Sequence, residues 1–177
     1  MQTLVALLRG INIGGKHLLP MKQLKAQLEQ LACSDVRTYI QSGNVVFRSA
    51  ADPATIEQDL SAAIQASHGF APRVLILSAD ELAATAAANP FAAADNAIKT
   101  VHQFFLVAPS STATAAFAAH ATSERYHLEP RCFYLHTPDG FGNSKLAEKA
   151  ERLLGVAATA RNWRTVSTLV EMSRAGA

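Results

Sequence analysis

Two alternating segments, VRTYIQ (36–41) and NVVFRS (44–49), are separated only by Ser42-Gly43, and helical patterns lie on both sides of them. That order constrains the chain more than any other feature. A Ser-Gly turn between two alternating runs reads as a β-hairpin. Upstream, TLVALL (3–8) is a short apolar run that reads as a buried strand. PMKQLKAQLEQLA (20–32) places Met21, Leu24, Leu28 and Leu31 on one helical face, and Pro20 suits a first helical position. Downstream, Asp52-Pro53 opens a second helix that runs to about His68, and RVLILS (73–78) is a further strand. Ser78 to Glu81 has capping-box spacing and opens a helix that Asn89-Pro90 stops. The result is βαββαβ plus one helix, the order of a ferredoxin-like plait.

The second half repeats the order. VHQFFLVA (101–108) reads as a strand and SSTATAAFAAHA (110–121) as a helix. ERYHLE (124–129) and RCFYLH (131–136) read as a hairpin around Glu129-Pro130. Ser144 to Leu154 is a helix, VAATAR (156–161) a short strand, and Arg164 to about Ser173 a last helix. The expected fold is therefore α+β, a tandem duplication of two ferredoxin-like subdomains. They cover residues 1–92 and 97–177, join through NPFAAADN (89–96), and form one compact unit.

The chain has 177 residues and a formal charge of +2, with no run of like charges. Non-specific nucleic-acid binding calls for a stronger basic footprint, so single-stranded RNA on an open sheet face, with Arg37 and Tyr39, stands as an alternative only. The paired-aromatic signature of RNA-recognition domains is missing as well. Cys33 and Cys132 share no C-x-x-C spacing and read as buried free thiols of a reducing compartment. Arg9 breaks the first apolar run, and no run reaches membrane-spanning length. A cytoplasmic protein with no membrane partner is expected. No cofactor is implied. His127 and His136 lack a third partner for a metal site, so no metal is expected.

The segment GINIGGKH (10–17) nearly matches the phosphate-binding pattern G-x-x-x-x-G-K-[ST]. The match fails on physical grounds. His17 stands where a magnesium-binding hydroxyl belongs. Pro20 delays the helix past the Gly-Gly-Lys, so the helix N-terminus cannot face a phosphate on this loop. What remains is either a glycine turn or a looser anion nest carrying Arg9, Asn12 and Lys16.

Three further stretches are polar at element ends. The hairpin tip holds Gln41, Ser42 and Asn44. PDGFGNSKL (138–146) turns into a helix whose first turn contains Lys145, with Asn143 or Ser144 as cap. ARNWRT (160–165) carries Arg161, Asn162, Trp163 and Arg164, a combination suited to a phosphate or carboxylate with a flat ring.

ALLRGINIGGK, VRTYIQSGNVVF, NPF, PDGFGNSKL and TARNWRT together resemble the hallmark segments of a bacterial family, domain of unknown function 1697. The resemblance spans essentially the whole chain. It implies a two-subdomain α+β fold with a ferredoxin-like N-terminal part, and it implies no activity.

The functional expectation follows from the polar loops. A small anionic ligand, bearing phosphate or carboxylate, would bind in a cleft between the subdomains through Arg9, Asn12, Lys16, Gln41, Ser42, Asn44, Lys145, Arg161, Asn162, Trp163 and Arg164. RNA binding and a purely structural or partner-binding role are the alternatives. Enzymatic activity and oligomeric state are left open, because no paired carboxylates and no nucleophile motif appear.

Overall fold

The computed structural model describes residues 1–175. The first seven elements are β1 (Gln2–Arg9), α1 (Met21–Gln30), β2 (Ser34–Tyr39), β3 (Asn44–Ser49), α2 (Pro53–His68), β4 (Arg73–Ser78) and α3 (Ala79–Ala87). Their strands form one antiparallel sheet in the order β2-β3-β1-β4. Then follow α4 (Ala97–Thr100), β5 (Val101–Leu106), α5 (Ala115–Ala118), β6 (Arg125–Glu129), β7 (Cys132–His136), α6 (Lys145–Leu154), β8 (Ala158–Asn162) and α7 (Trp163–Arg174). The second sheet runs β6-β7-β5-β8, which is the first order over again. The chain is thus a mixed α+β duplication with the strand order of a ferredoxin-like plait in each copy.

Residues 1–84 with residues 169–175 make one compact unit, and residues 85–168 make the other. The expected joint at 89–96 falls within the second unit. The last helix is divided, its first half belonging with β8 and its second half with the first unit.

Local chemistry explains the helix starts. Asp52 accepts from the Thr55 N–H at 3.2 Å, with Pro53 in the first helical position of α2. Ser78 and Glu81 bond each other's backbone N–H reciprocally, at 3.1 and 2.8 Å, as a capping box does. Ser144 caps α6 through the Ala147 N–H at 3.0 Å, and Gly155 ends that helix in the left-handed conformation.

One element is shorter than its composition suggests. The helix expected over residues 110–121 is reduced to Ala115–Ala118. Ser110 Oγ donates to the Leu154 carbonyl at 2.7 Å and Thr112 Oγ1 to the Leu153 carbonyl at 2.8 Å. These hydroxyls bond the end of α6 instead of joining a helix of their own.

In the first unit, Leu4, Ala6 and Leu8 of β1 pack with Val45, Phe47, Val74 and Ile76 against Leu24, Leu28, Ile56, Leu60 and Ile64 of the helices. The opposite sheet face bears Val5, Leu7, Val46 and Leu75, all buried. On that face the Arg37 guanidinium donates to the Met172 carbonyl of α7 at 2.9 Å. Arg37, one of the two side chains named for an RNA-binding sheet face, is engaged in this bond. In the second unit Phe104, Leu106, Phe133 and Leu135 pack with Phe117, Leu146, Ala150 and Leu154.

Candidate functional site

The stretch GINIGGKH folds as a miniature hairpin. Ile13 and Lys16 bridge antiparallel, with the Lys16 N–H on the Ile13 carbonyl at 3.0 Å and the Asn12 N–H on the His17 carbonyl at 3.0 Å. Gly14 and Gly15 turn between them at φ of 56° and 73°, a left-handed pair that only glycine adopts readily. The Asn12 and Lys16 amides are bonded within the loop. The segment is accordingly not a P-loop, since no helix opens on its glycines.

Asn12 acts as a staple. Its Nδ2 donates to the carbonyls of Leu19 (3.0 Å) and Gln41 (2.8 Å), and its Oδ1 accepts from the Leu19 N–H (2.8 Å). The loop is pinned at both ends by buried Ile11 and Leu19 and tied to the β2–β3 turn. That turn is itself close-packed. A Cβ on Gly43 would lie 2.7 Å from Leu8 Cβ and from Ile11 Cδ1. Asn44 is fully buried and donates to the Tyr39 carbonyl and to Ser42 Oγ, at 3.1 and 2.9 Å. Asn12 thus ties its loop to the turn at Gln41, and Asn44 with Ser42 holds the turn itself together.

Beside these loops lies a cavity of about 460 Å³. Arg9 and Arg73 line it, and they are direct partners in the β1–β4 register. Residues directly opposite on antiparallel strands share a sheet face, so the two guanidiniums start side by side. His17 and Phe70 complete the wall, with stacked rings whose centroids are 4.7 Å apart. The His17 Nδ1 lies 2.9 Å from the Gly10 carbonyl. A carbonyl only accepts, so Nδ1 carries the proton in that bond and Nε2 is left for other partners. The cavity has two permanent cations, an imidazole, an aromatic face and no carboxylate in its lining.

The second unit distributes the remaining expected residues differently. Lys145 is exposed in the first turn of α6. The small cleft beside it contains Glu124 and Asp139, which oppose an anion there. Ser144 Oγ donates to Glu124 at 2.5 Å and the Thr122 N–H at 2.7 Å, and these bonds hold the Glu124 carboxyl down at about 2. Asp139 accepts from Ser123 Oγ at 2.5 Å. Arg161 is half-buried and donates to the Ala160 carbonyl at 2.9 Å. Burial lowers its guanidinium to about 10, still protonated near neutrality. Asn162 caps α7 by accepting from the Thr165 N–H at 2.9 Å. Trp163 is half-buried and Arg164 exposed at the start of that helix.

His102 and Cys132 do not fit acid–base or nucleophilic work near neutral pH. Burial lowers the His102 imidazole to about 4 and pushes the Cys132 thiol up to about 12. Among the described residues no group of three or more His, Cys, Asp or Glu side chains is placed to hold a metal ion. No described helix is long and apolar enough to cross a membrane.

His17, Phe70 and Arg73 are the cavity residues that motif reading does not single out. Arg73 opens a strand 64 positions after Arg9, and only the β1–β4 register brings them together. His17 stands out in the sequence solely as the residue that spoils a P-loop.

Fold and site together define a doubled α+β plait with an arginine-paired cavity at one end of its first sheet. The model of the family described as protein of unknown function (DUF1697) matches residues 1–134, and the chain belongs to that family. Among solved structures, a conserved bacterial protein from Streptococcus pneumoniae is similar with a TM-score of 0.71 and 21% identity. The match covers 97% of this chain and 98% of that one. A likeness at this identity shows the shared fold. No curated protein matches the sequence.

Proposed function

We propose that this protein binds a small anionic ligand, phosphate- or carboxylate-bearing, in the cavity of the first unit. The observation that carries the reading is the direct cross-strand pairing of Arg9 with Arg73 at the cavity wall. Like charges directly opposite on a sheet repel, and an anion seated between them turns that repulsion into two charge-assisted bonds. His17, held against Phe70 and the Gly10 carbonyl, offers a third polar group and a flat surface. The stapled loop fixes this geometry before the ligand arrives, which limits the ordering cost of binding. Two free, buried cysteines support a reducing, cytoplasmic setting.

Thermal-shift titration with inorganic phosphate, pyrophosphate, acetate and a nucleotide panel tests the reading. Phosphate-bearing compounds raise the melting temperature of the wild type and leave that of Arg73→Gln unmoved. If no anion shifts the wild type, the arginine pair serves the fold or a partner, and the reading fails.

A further inference from the structure

The cavity end of the first unit has a second character that anion binding does not use. Its three connections are residues 10–20, 40–43 and 69–72, all at the same end of the sheet, since Leu7 pairs with Asn44 and Arg9 with Arg73. Three aliphatic side chains stand out from these loops into solvent: Ile13 at 67% exposure, Leu18 at 62% and Ile40 at 51%. Ile13 flanks the Gly-Gly turn, and Ile40 sits in the β2–β3 turn that Asn12 ties to the same loop. Ile40 holds φ at 48°, a left-handed conformation that a β-branched residue adopts only under constraint.

Within these connections the charge has one sign, and the carboxylate beside them, Glu57 of α2, lines a groove with Arg73 on the helix side. Segments 9–23, 40–44 and 68–73 contain Arg9, Lys16, Lys22 and Arg73 and none of the chain's 14 acidic residues. Exposed aliphatics on rigid tips, ringed by cations, match a surface that is anionic outside and apolar just beneath. We infer that this end of the first unit docks on an anionic phospholipid bilayer, with Ile13, Leu18 and Ile40 entering the headgroup boundary and the cations meeting lipid phosphates.

Other occupants fit less well. A second copy across a two-fold axis would bring the same cations face to face. A nucleic acid gains nothing from aliphatic tips, which have no ring to stack on a base. The expectation of no membrane partner rests on the lack of a spanning run, and a surface contact needs no such run. The inference shares Arg9 and Arg73 with the cavity and adds to them Lys16, Lys22 and the three exposed tips.

Vesicle flotation of the full chain tests it, using phosphatidylcholine with and without phosphatidylglycerol, at low and at physiological salt. The wild type floats with the anionic vesicles, less at higher salt, and stays behind with phosphatidylcholine alone. Combined Ile13→Ser, Leu18→Ser and Ile40→Ser lowers the bound fraction at least tenfold with the melting temperature unchanged. Lys16→Glu alone weakens binding in the same direction, and it carries the test should the triple variant fold poorly. Failure to float with anionic vesicles overturns the inference, as does a triple variant that floats like the wild type. So does a dimer that these substitutions disperse. If inorganic phosphate binds in solution while vesicles do not, the cavity reading stands and the membrane inference falls.

Discussion

Arg9 and Arg73 face each other across β1 and β4, the last residue of one strand against the first of the other. Both are exposed, and the hydrophobic cores lie elsewhere. Two cations in register repel each other across the strands. Arg73→Gln should therefore leave stability in anion-free, low-salt buffer within about 0.5 kcal/mol of the wild type, or slightly above it. Urea denaturation measures this. A loss beyond about 1 kcal/mol would mark Arg73 as structural.

Gly43→Ala should destabilise strongly. The new Cβ meets Leu8 and Ile11 at 2.7 Å, and φ at this position is 77°. The left-handed penalty and the overpacking together predict a loss of about 2–4 kcal/mol. A midpoint shift in urea at unchanged slope is the expected result. A near-neutral substitution would mean the turn is looser than described.

Asn12→Ala removes three hydrogen bonds at once and leaves the Leu19 N–H without its acceptor. The expected loss is about 2–3 kcal/mol. Amide exchange in residues 12–19 and 40–44 should speed up together, because one side chain ties both loops. Faster exchange in the first loop alone would show that the tie to Gln41 carries no energy.

Acid should weaken the fold through His102. Burial lowers this imidazole from 6.5 to about 4, and its ring stacks on Phe141 with centroids 3.8 Å apart. The unfolded chain therefore binds more protons than the folded one between about pH 6.5 and 4, and stability falls as pH falls through that window. His136 adds in the same direction, lowered by burial and by the Arg125 charge. The His102 share approaches about 3 kcal/mol at the acid end of the window. His102→Phe keeps the stacking and should flatten most of the slope of stability against pH between 4 and 6.5. An unchanged slope would place the acid sensitivity on other groups.

Much of the fold is legible in the sequence because its signals are local. Ser78 and Glu81, Asp52 and Pro53, and Ser144 each mark a helix start through bonds made within four residues. The helix lost at residues 110–114 shows the limit of such signals. Its hydroxyls bond Leu153 and Leu154 some 40 positions away, beyond any window of periodicity. The site divides the same way. Arg9 stands out beside its glycine-rich loop, yet Asn12 and Asn44 look like ligand groups and are instead turned inward to hold backbone. Arg73 carries no motif at all. Its meaning depends on register, which pairs strands far apart in the chain.

In the proposed site Arg9 and Arg73 grip one anion together. Isothermal titration of inorganic pyrophosphate into the wild type, Arg9→Ala, Arg73→Ala and the double variant tests it most directly. Each single substitution should weaken binding by about tenfold or more, the worth of a lost charge-assisted bond. If both guanidiniums hold the same anion, the double variant should lose less than the product of the single effects. Independent losses that multiply, or a wild type that binds no pyrophosphate, would rule out a shared site.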